Sequence, residues 1–170
     1  MNLILTGYRC SGKSTVSERL ADALGWKTVH LDREIANRAG RRIADLVKDQ
    51  GWQRFRELEG EVVSAATSMD KVVIDAGGSV ALNESNLQML RIGGRVVWLR
   101  TSASEVRARM RGLDVELVPL TDAPSAIEEV DGMMERLNPL YSAAADRVID
   151  TDGRSAEEIV AEILSYVESC

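Results

Sequence analysis

A chain of 170 residues, 45% hydrophobic and 28% charged, has the make-up of one ordinary globular domain, able to bury roughly 70% of its unfolded surface. Its formal net charge of −6 argues against non-specific nucleic-acid binding, and no apolar run approaches the ~20 residues of a membrane span. No basic segment precedes an apolar one at the N-terminus, and two cysteines, Cys10 and Cys170, make no disulfide framework, so a reducing cytoplasm is the expected compartment.

The first element is a short apolar run, Leu3-Ile4-Leu5, which reads as a buried strand. A glycine loop follows at once, and Gly7 through Gly12-Lys13-Ser14 carries the phosphate-binding spacing G-x-x-x-x-G-K-[ST]. Each residue type has a mechanical reason. Glycine lets the backbone turn back and approach an anion closely. Successive N–H groups then line a concavity for phosphate oxygens, and the following helix adds the positive end of its dipole. Lys13 reaches β- and γ-phosphates as a point charge, and the Ser14 hydroxyl is a Mg²⁺ ligand. Cys10, Ser11, Gly12, Lys13, Ser14 and Thr15 are therefore the expected ATP contacts. Cys10 sits near a helix N-terminus, where a thiol can become reactive, but it reads more simply as a small loop residue.

Val16, Leu20, Ala23 and Leu24 mark one face of a helix that Gly25 ends. Trp26 to Leu31 reads as a second strand with Asp32 at its end. Ile35, Ala39, Ile43, Leu46 and Val47 keep helical spacing with a break at Gly40. Gly51 opens a further helical stripe through Trp52, Phe55, Leu58, Val62, Val63 and Ala66. Val72-Val73-Ile74-Asp75 is a third strand that runs into Ala76-Gly77-Gly78, with helical spacing again from Leu82 to Leu90. Arg95 to Leu99 is a fourth strand. Ser102 and Glu105 predict a capped helix to about Arg111, and Ser125 with Glu128 predicts another holding Met133, Met134 and Leu137. Residues 112 to 123 have no period and read as a mobile loop. Arg147-Val148-Ile149 is a fifth strand, and Ser155 with Glu158 caps a last helix.

Short apolar strands that alternate with helices predict an α/β fold: a five-stranded parallel sheet with helices on both faces, in three layers. Ligands of such sheets bind beyond the carboxyl ends of the strands. Gly7 to Thr15, Asp32 and Asp75 to Gly78 should therefore share one rim. Asp75 occupies the place of a metal-holding carboxylate in many phosphate-loop enzymes. Asp32 either caps the next helix or meets substrate. His30 is the lone histidine and reads first as a hydrogen-bonded packing residue, second as a base or a water-mediated metal contact.

Taken as an ordered set, these residues resemble the shikimate kinase family of P-loop small-molecule kinases over nearly the whole chain. The marks are the phosphate loop, Asp32-Arg33-Glu34-Ile35, Phe55-Arg56-Glu57-Leu58-Glu59, Ala76-Gly77-Gly78-Ser79-Val80, Pro119-Leu120-Thr121, Asn138-Pro139-Leu140-Tyr141 and Asp150-Thr151. The resemblance implies ATP- and Mg²⁺-dependent phosphorylation of the 3-hydroxyl of shikimate by a single domain. That domain would have its substrate-binding region at about 32–62 and its lid at about 112–123. A small-molecule acceptor, no nucleic-acid partner, no membrane and a monomer are expected. Asp32 matches the carboxylate that binds ring hydroxyls and takes the proton. Arg56 matches an arginine that binds the substrate carboxylate, Gly77 and Gly78 two of three glycines against the substrate, and Arg109 and Arg154 two nucleotide-side arginines.

The departures are specific. Val118 and Leu137 stand where the family has a lid arginine and a second carboxylate-binding arginine, and Ala76 replaces the first glycine of the triplet. Arg136 lies one place from the second missing cation. One residue on a helix is about 100° of rotation, so Arg136 serves only if a bulge shifts its register. Arg107, Arg109 and Arg111 are the candidates to replace the lid arginine. A same-fold kinase with another hydroxylated acceptor, and a nucleotide-binding regulator without turnover, are the rival readings.

Overall fold

The structure is a computed structural model that describes residues 1–114 and 117–169. Val115 and Glu116 of the expected lid, and Cys170, lie outside the described residues. Five strands form one parallel sheet: β1 (Asn2–Thr6), β2 (Lys27–His30), β3 (Val72–Asp75), β4 (Gly94–Arg100) and β5 (Arg147–Asp150), in the order β2-β3-β1-β4-β5. Among the described residues the connecting helices are α1 (Lys13–Leu24), α2 (Leu31–Ala39), α3 (Ile43–Thr67), α4 (Glu84–Gly93), α5 (Ala103–Arg111), α6 (Val130–Ala144) and α7 (Ala156–Glu168).

The sheet is apolar on both faces because both are covered. Side chains alternate along a strand, so neighbours in β1 enter different cores. Ile4 packs with Ile74, Val96 and the apolar stripe of α3, whereas Leu3 and Leu5 pack with Val73, Val97, Leu99, α1 and α7. A third cluster lies under α5 and α6, around Tyr8, Trp98, Met133, Leu137 and Tyr141. Leu3, Ile4 and Leu5 are all fully buried. That is why the strand reads as a continuous apolar run rather than an alternating one.

Strand register sets the functional rim. Leu5 pairs with Asp75, and Asp75 with His30, so the ends of β1, β3 and β2 lie side by side. Gly7 leaves β1 at φ 144°, and a side chain there would come within 2.6 Å of the Leu99 carbonyl, so only glycine lets the loop start here. Gly51 has φ 75° and kinks α3, which swings Trp52, Phe55 and Arg56 toward the rim on the second half of the helix.

Three elements differ from the sequence expectation. β2 stops at His30 and α2 starts at Leu31, so Asp32 lies in the first helical turn rather than at the end of a strand reaching Leu31, and no side-chain cap bond is made there. Ser125 and Glu128 do bond to each other, but they close a turn, and α6 begins at Val130. The stretch from Leu82 to Leu90 divides into a 3-10 turn, Val80–Leu82, and α4, which is capped by the Asn83 side chain.

Candidate active site

A cavity of about 410 Å³ opens at the rim, bounded by the phosphate loop, the ends of β2 and β3, the two halves of α3, and the segment before Pro119. Of the expected site residues, Cys10, Lys13, Ser14, Asp32, Asp75 and Gly78 line it. Lys13 starts α1, is almost fully buried, and donates to the carbonyls of Gly7 and Tyr8 at 2.9 Å each. Burial lowers its pKa, opposed by the carboxylates of Asp75 and Asp32. Ser11 is buried, and its hydroxyl lies 3.4 Å from the Lys13 ammonium. Gly12 caps the helix in a left-handed conformation. Thr15 is exposed in the first turn of α1.

Ser14 Oγ donates to Asp75 Oδ2 at 2.6 Å, and His30 Nδ1 lies 2.8 Å from the same oxygen. The other ring nitrogen of His30 is 3.1 Å from Glu18. His30 is thus a hydrogen-bonded packing residue in the first sense expected, and it orients Asp75. Ser14 and Asp75 offer two hard oxygens beside the phosphate loop, which fits Mg²⁺, an ion that takes one or two protein oxygens and completes its shell with water and substrate phosphates.

The loop after β3 is touched by one charged side chain after another. Asp32 Oδ1 lies 2.6 Å from where a Cβ on Gly77 would stand, so the glycine makes room for the carboxylate. A Cβ on Gly78 would come within 2.9 Å of the Arg9 backbone nitrogen. Arg56 donates to the Ser79 carbonyl at 3.2 Å and to the Ser79 hydroxyl at 3.0 Å. Asp32 is open to solvent through the cavity while protein crowds it elsewhere. That loss of surrounding solvent raises its carboxyl above the ordinary value, with Lys13 pulling down and Asp75 adding to the rise. Arg56 does not itself line the cavity. It lies against the rings of Trp52 and Phe55, which do, and pairs with the buried Glu59 at 2.9 Å.

Arg109 reaches the phosphate loop from α5, donating to the Cys10 carbonyl at 2.9 Å. Arg107 instead pairs with Asp131, and Arg111 is exposed. Arg154 is held by Glu162 at 2.7 Å and does not reach the cavity. Arg136 is the clear departure from expectation. α6 runs unbroken through Pro139, Leu137 is fully buried, and Arg136 points to solvent away from the cavity. No bulge turns it inward. The reactive-thiol reading of Cys10 also finds no support, because burial pushes that thiol's pKa up.

Four residues of the site were not assigned from sequence. Arg9 lines the cavity directly. Tyr141 donates to the Gly78 carbonyl at 2.5 Å and fixes that loop, and Glu59 seats Arg56. Glu129 is buried and accepts from the backbone N–H groups of Leu120 and Thr121 and from the Thr121 hydroxyl, at 2.8 to 2.9 Å. The expected lid is therefore tied down at its Pro119-Leu120-Thr121 end. Charged residues inside apolar segments were the available signal for Glu59 and Glu129.

A phosphate loop on the central strand of a five-stranded parallel sheet, with Arg9, Lys13, Asp32 and Asp75 on one cavity beyond the strand ends, is the arrangement of a P-loop kinase of small molecules. The chain matches the shikimate kinase family over residues 9–168 and belongs to it. A shikimate kinase of Symbiobacterium thermophilum is 36% identical over 168 residues, covering 99% of this chain and 97% of that one. Among solved structures, shikimate kinase from Acinetobacter baumannii in complex with shikimate superposes with a TM-score of 0.91 at 28% identity, covering 99% of this chain and 93% of that one. Shikimate kinase from Aquifex aeolicus superposes at 0.84 with 31% identity, covering 99% and 96%. The chain is an ATP-dependent phosphotransferase that acts on a hydroxyl group.

Proposed function

We propose that the chain transfers the γ-phosphoryl group of ATP to the 3-hydroxyl of shikimate, as a cytoplasmic monomer, with the following division of labour. The loop amides and Lys13 hold the β- and γ-phosphates and neutralise the charge that spreads over the transferred group. Positioning and electrostatics supply most of the rate in phosphoryl transfer. Ser14 and Asp75 would hold Mg²⁺, which when bound supplies further positive charge against the phosphate oxygens. Asp32 accepts a hydrogen bond from the acceptor hydroxyl, takes its proton as the oxygen attacks phosphorus, and returns it to solvent through the open cavity. Gly77 and Gly78 bring backbone against the acceptor ring, and Arg56, seated against Trp52 and Phe55, supplies positive charge for the acceptor's carboxylate. Arg109 serves the nucleotide side, and Arg154 lies further out on the same side.

The observation that carries this reading is the meeting of Lys13, the Ser14–Asp75 pair and Asp32 on one cavity. A cation and a metal seat lie on the nucleotide side of that cavity, and a carboxyl with a raised pKa faces across it. A base works best with its pKa moved toward the working pH. Asp32→Asn tests the assignment. It should lower kcat by about 10²- to 10⁴-fold, the usual worth of a positioned base, while nucleotide affinity holds within about threefold. A kcat within threefold of the parent would contradict it.

A further inference from the structure

The cavity holds a cation whose bonding is incomplete. Arg9 projects from the phosphate loop, and its side chain is only 19% exposed. A guanidinium has five N–H donors, yet among the described residues Arg9 makes one hydrogen bond, from Nη1 to the Val118 carbonyl at 2.5 Å. Glu129 is its nearest carboxylate at 3.9 Å, and that carboxylate is already taken by Leu120 and Thr121. The other cations at the cavity are engaged or outside it. Lys13 is turned into the phosphate loop. Arg33 is 67% exposed and 3.5 Å from Glu18. Arg56 lies against the rings of Trp52 and Phe55 without lining the cavity, and α6 buries Leu137 in the core.

We infer that Arg9 is the cation lining the cavity that binds the acceptor's carboxylate, with Arg56, seated against Trp52 and Phe55, adding positive charge; this rests on the shikimate reading above. The loop after β3 gives the layout. Asp32 meets Gly77, Arg9 stands over Gly78 with its Cγ 3.0 Å from the glycine's Cβ position, and Arg56 bonds to Ser79. An acid for the hydroxyl end is thus followed along three consecutive residues by two cations for the opposite end. A carboxylate that leaves water needs such partners, and a guanidinium with free parallel N–H groups suits its two oxygens. Because Arg9 also holds the Val118 carbonyl, an acceptor bound there touches the end of the segment that covers the cavity.

The test uses Arg9→Met and Arg9→Lys with two ligands: shikimate, and its carboxamide, which keeps the ring and hydroxyls but carries no charge. Binding of each to the ADP-loaded protein is measured by calorimetry, together with ADP affinity and steady-state kinetics. Arg9→Met should weaken shikimate by ~30-fold or more, the range for losing one partner of a buried charge pair. It should leave carboxamide binding and ADP affinity within about threefold. Arg9→Lys keeps the charge without the fork and should recover part of the loss. If the methionine variant does not fold, the lysine variant decides, by a rise in KM for shikimate with no change in ADP affinity. Unchanged shikimate affinity, or equal weakening of the acid and the carboxamide, overturns the assignment of Arg9 alone. A wild-type protein that turns over no shikimate overturns the acceptor itself, and with it this subsite.

Discussion

Lys13 and Asp32 line one cavity, and loss of solvent moves both away from ordinary behaviour, in opposite directions. Lys13 is lowered from 10.5 and Asp32 is raised from 3.8. Two pH effects follow. Nucleotide affinity without acceptor should fall as pH rises through a Lys13 value below 10.5, because the deprotonated amine loses its charge. The kcat/KM for the acceptor should fall as pH drops through an Asp32 value above 3.8, because the protonated carboxyl can no longer take a proton. Titrating ADP binding and acceptor kinetics separately checks each limb, and an acid limb at or below 3.8 would contradict the role of Asp32. Arg56→Ala should raise KM for shikimate by ~30-fold or more, with little change in ADP affinity. Initial rates at saturating ATP measure this. At this scale the phosphate loop was fully legible, since each of its positions has a chemical requirement that only one or two residue types meet. Arg9 was not, because the variable positions of that loop carry no such requirement. Only the fold reveals that the third residue of the loop lines the cavity.

Helices and loops set which of two neighbouring residues is used. Leu137 and Arg136 are adjacent, but α6 turns Leu137 into the core and Arg136 to solvent, so the near-match in sequence has no counterpart at the cavity. Pro139 does not break α6, because the neighbouring turns still pack against Trp98 and the phosphate-loop tyrosine. The same limit applied to residues 112 to 123. An aperiodic stretch reads as mobile, and sequence does not show that a distant buried carboxylate secures part of it. Glu129 gives a direct check. In hydrogen exchange the amides of Leu120 and Thr121 should exchange slowly in the parent and fast in Glu129→Ala. The variant should also lose about 1–3 kcal/mol of stability, as expected for donors left without their acceptor. Equal exchange in both proteins would show that the segment is held by something else.

Across the whole molecule, alternating short apolar strands and amphipathic helices were enough to foresee a parallel sheet covered on both faces. They also placed the ligand rim beyond the ends of β1, β2 and β3. The strand order β2-β3-β1-β4-β5 was not legible from periodicity, because a strand's pattern records that it is buried and not which strand it pairs with. That order nonetheless decides the chemistry. It puts β1 in the centre and β3 between β1 and β2, so Asp75 lies beside both the phosphate loop and His30. The resulting cavity joins the phosphate loop between β1 and α1 to residues of α2, α3 and the loop after β3.

The central claim is that this cavity phosphorylates shikimate at the expense of ATP. The most direct measurement is ³¹P NMR of the purified chain with ATP, Mg²⁺ and, in parallel, shikimate, gluconate or a nucleoside monophosphate, following ATP loss and any new phosphoester. One new phosphoester, at the 3-hydroxyl, is expected with shikimate, formed in step with ADP and absent in Lys13→Ala. ATP that stays intact with shikimate, or a phosphoester formed on another acceptor in its place, would contradict it.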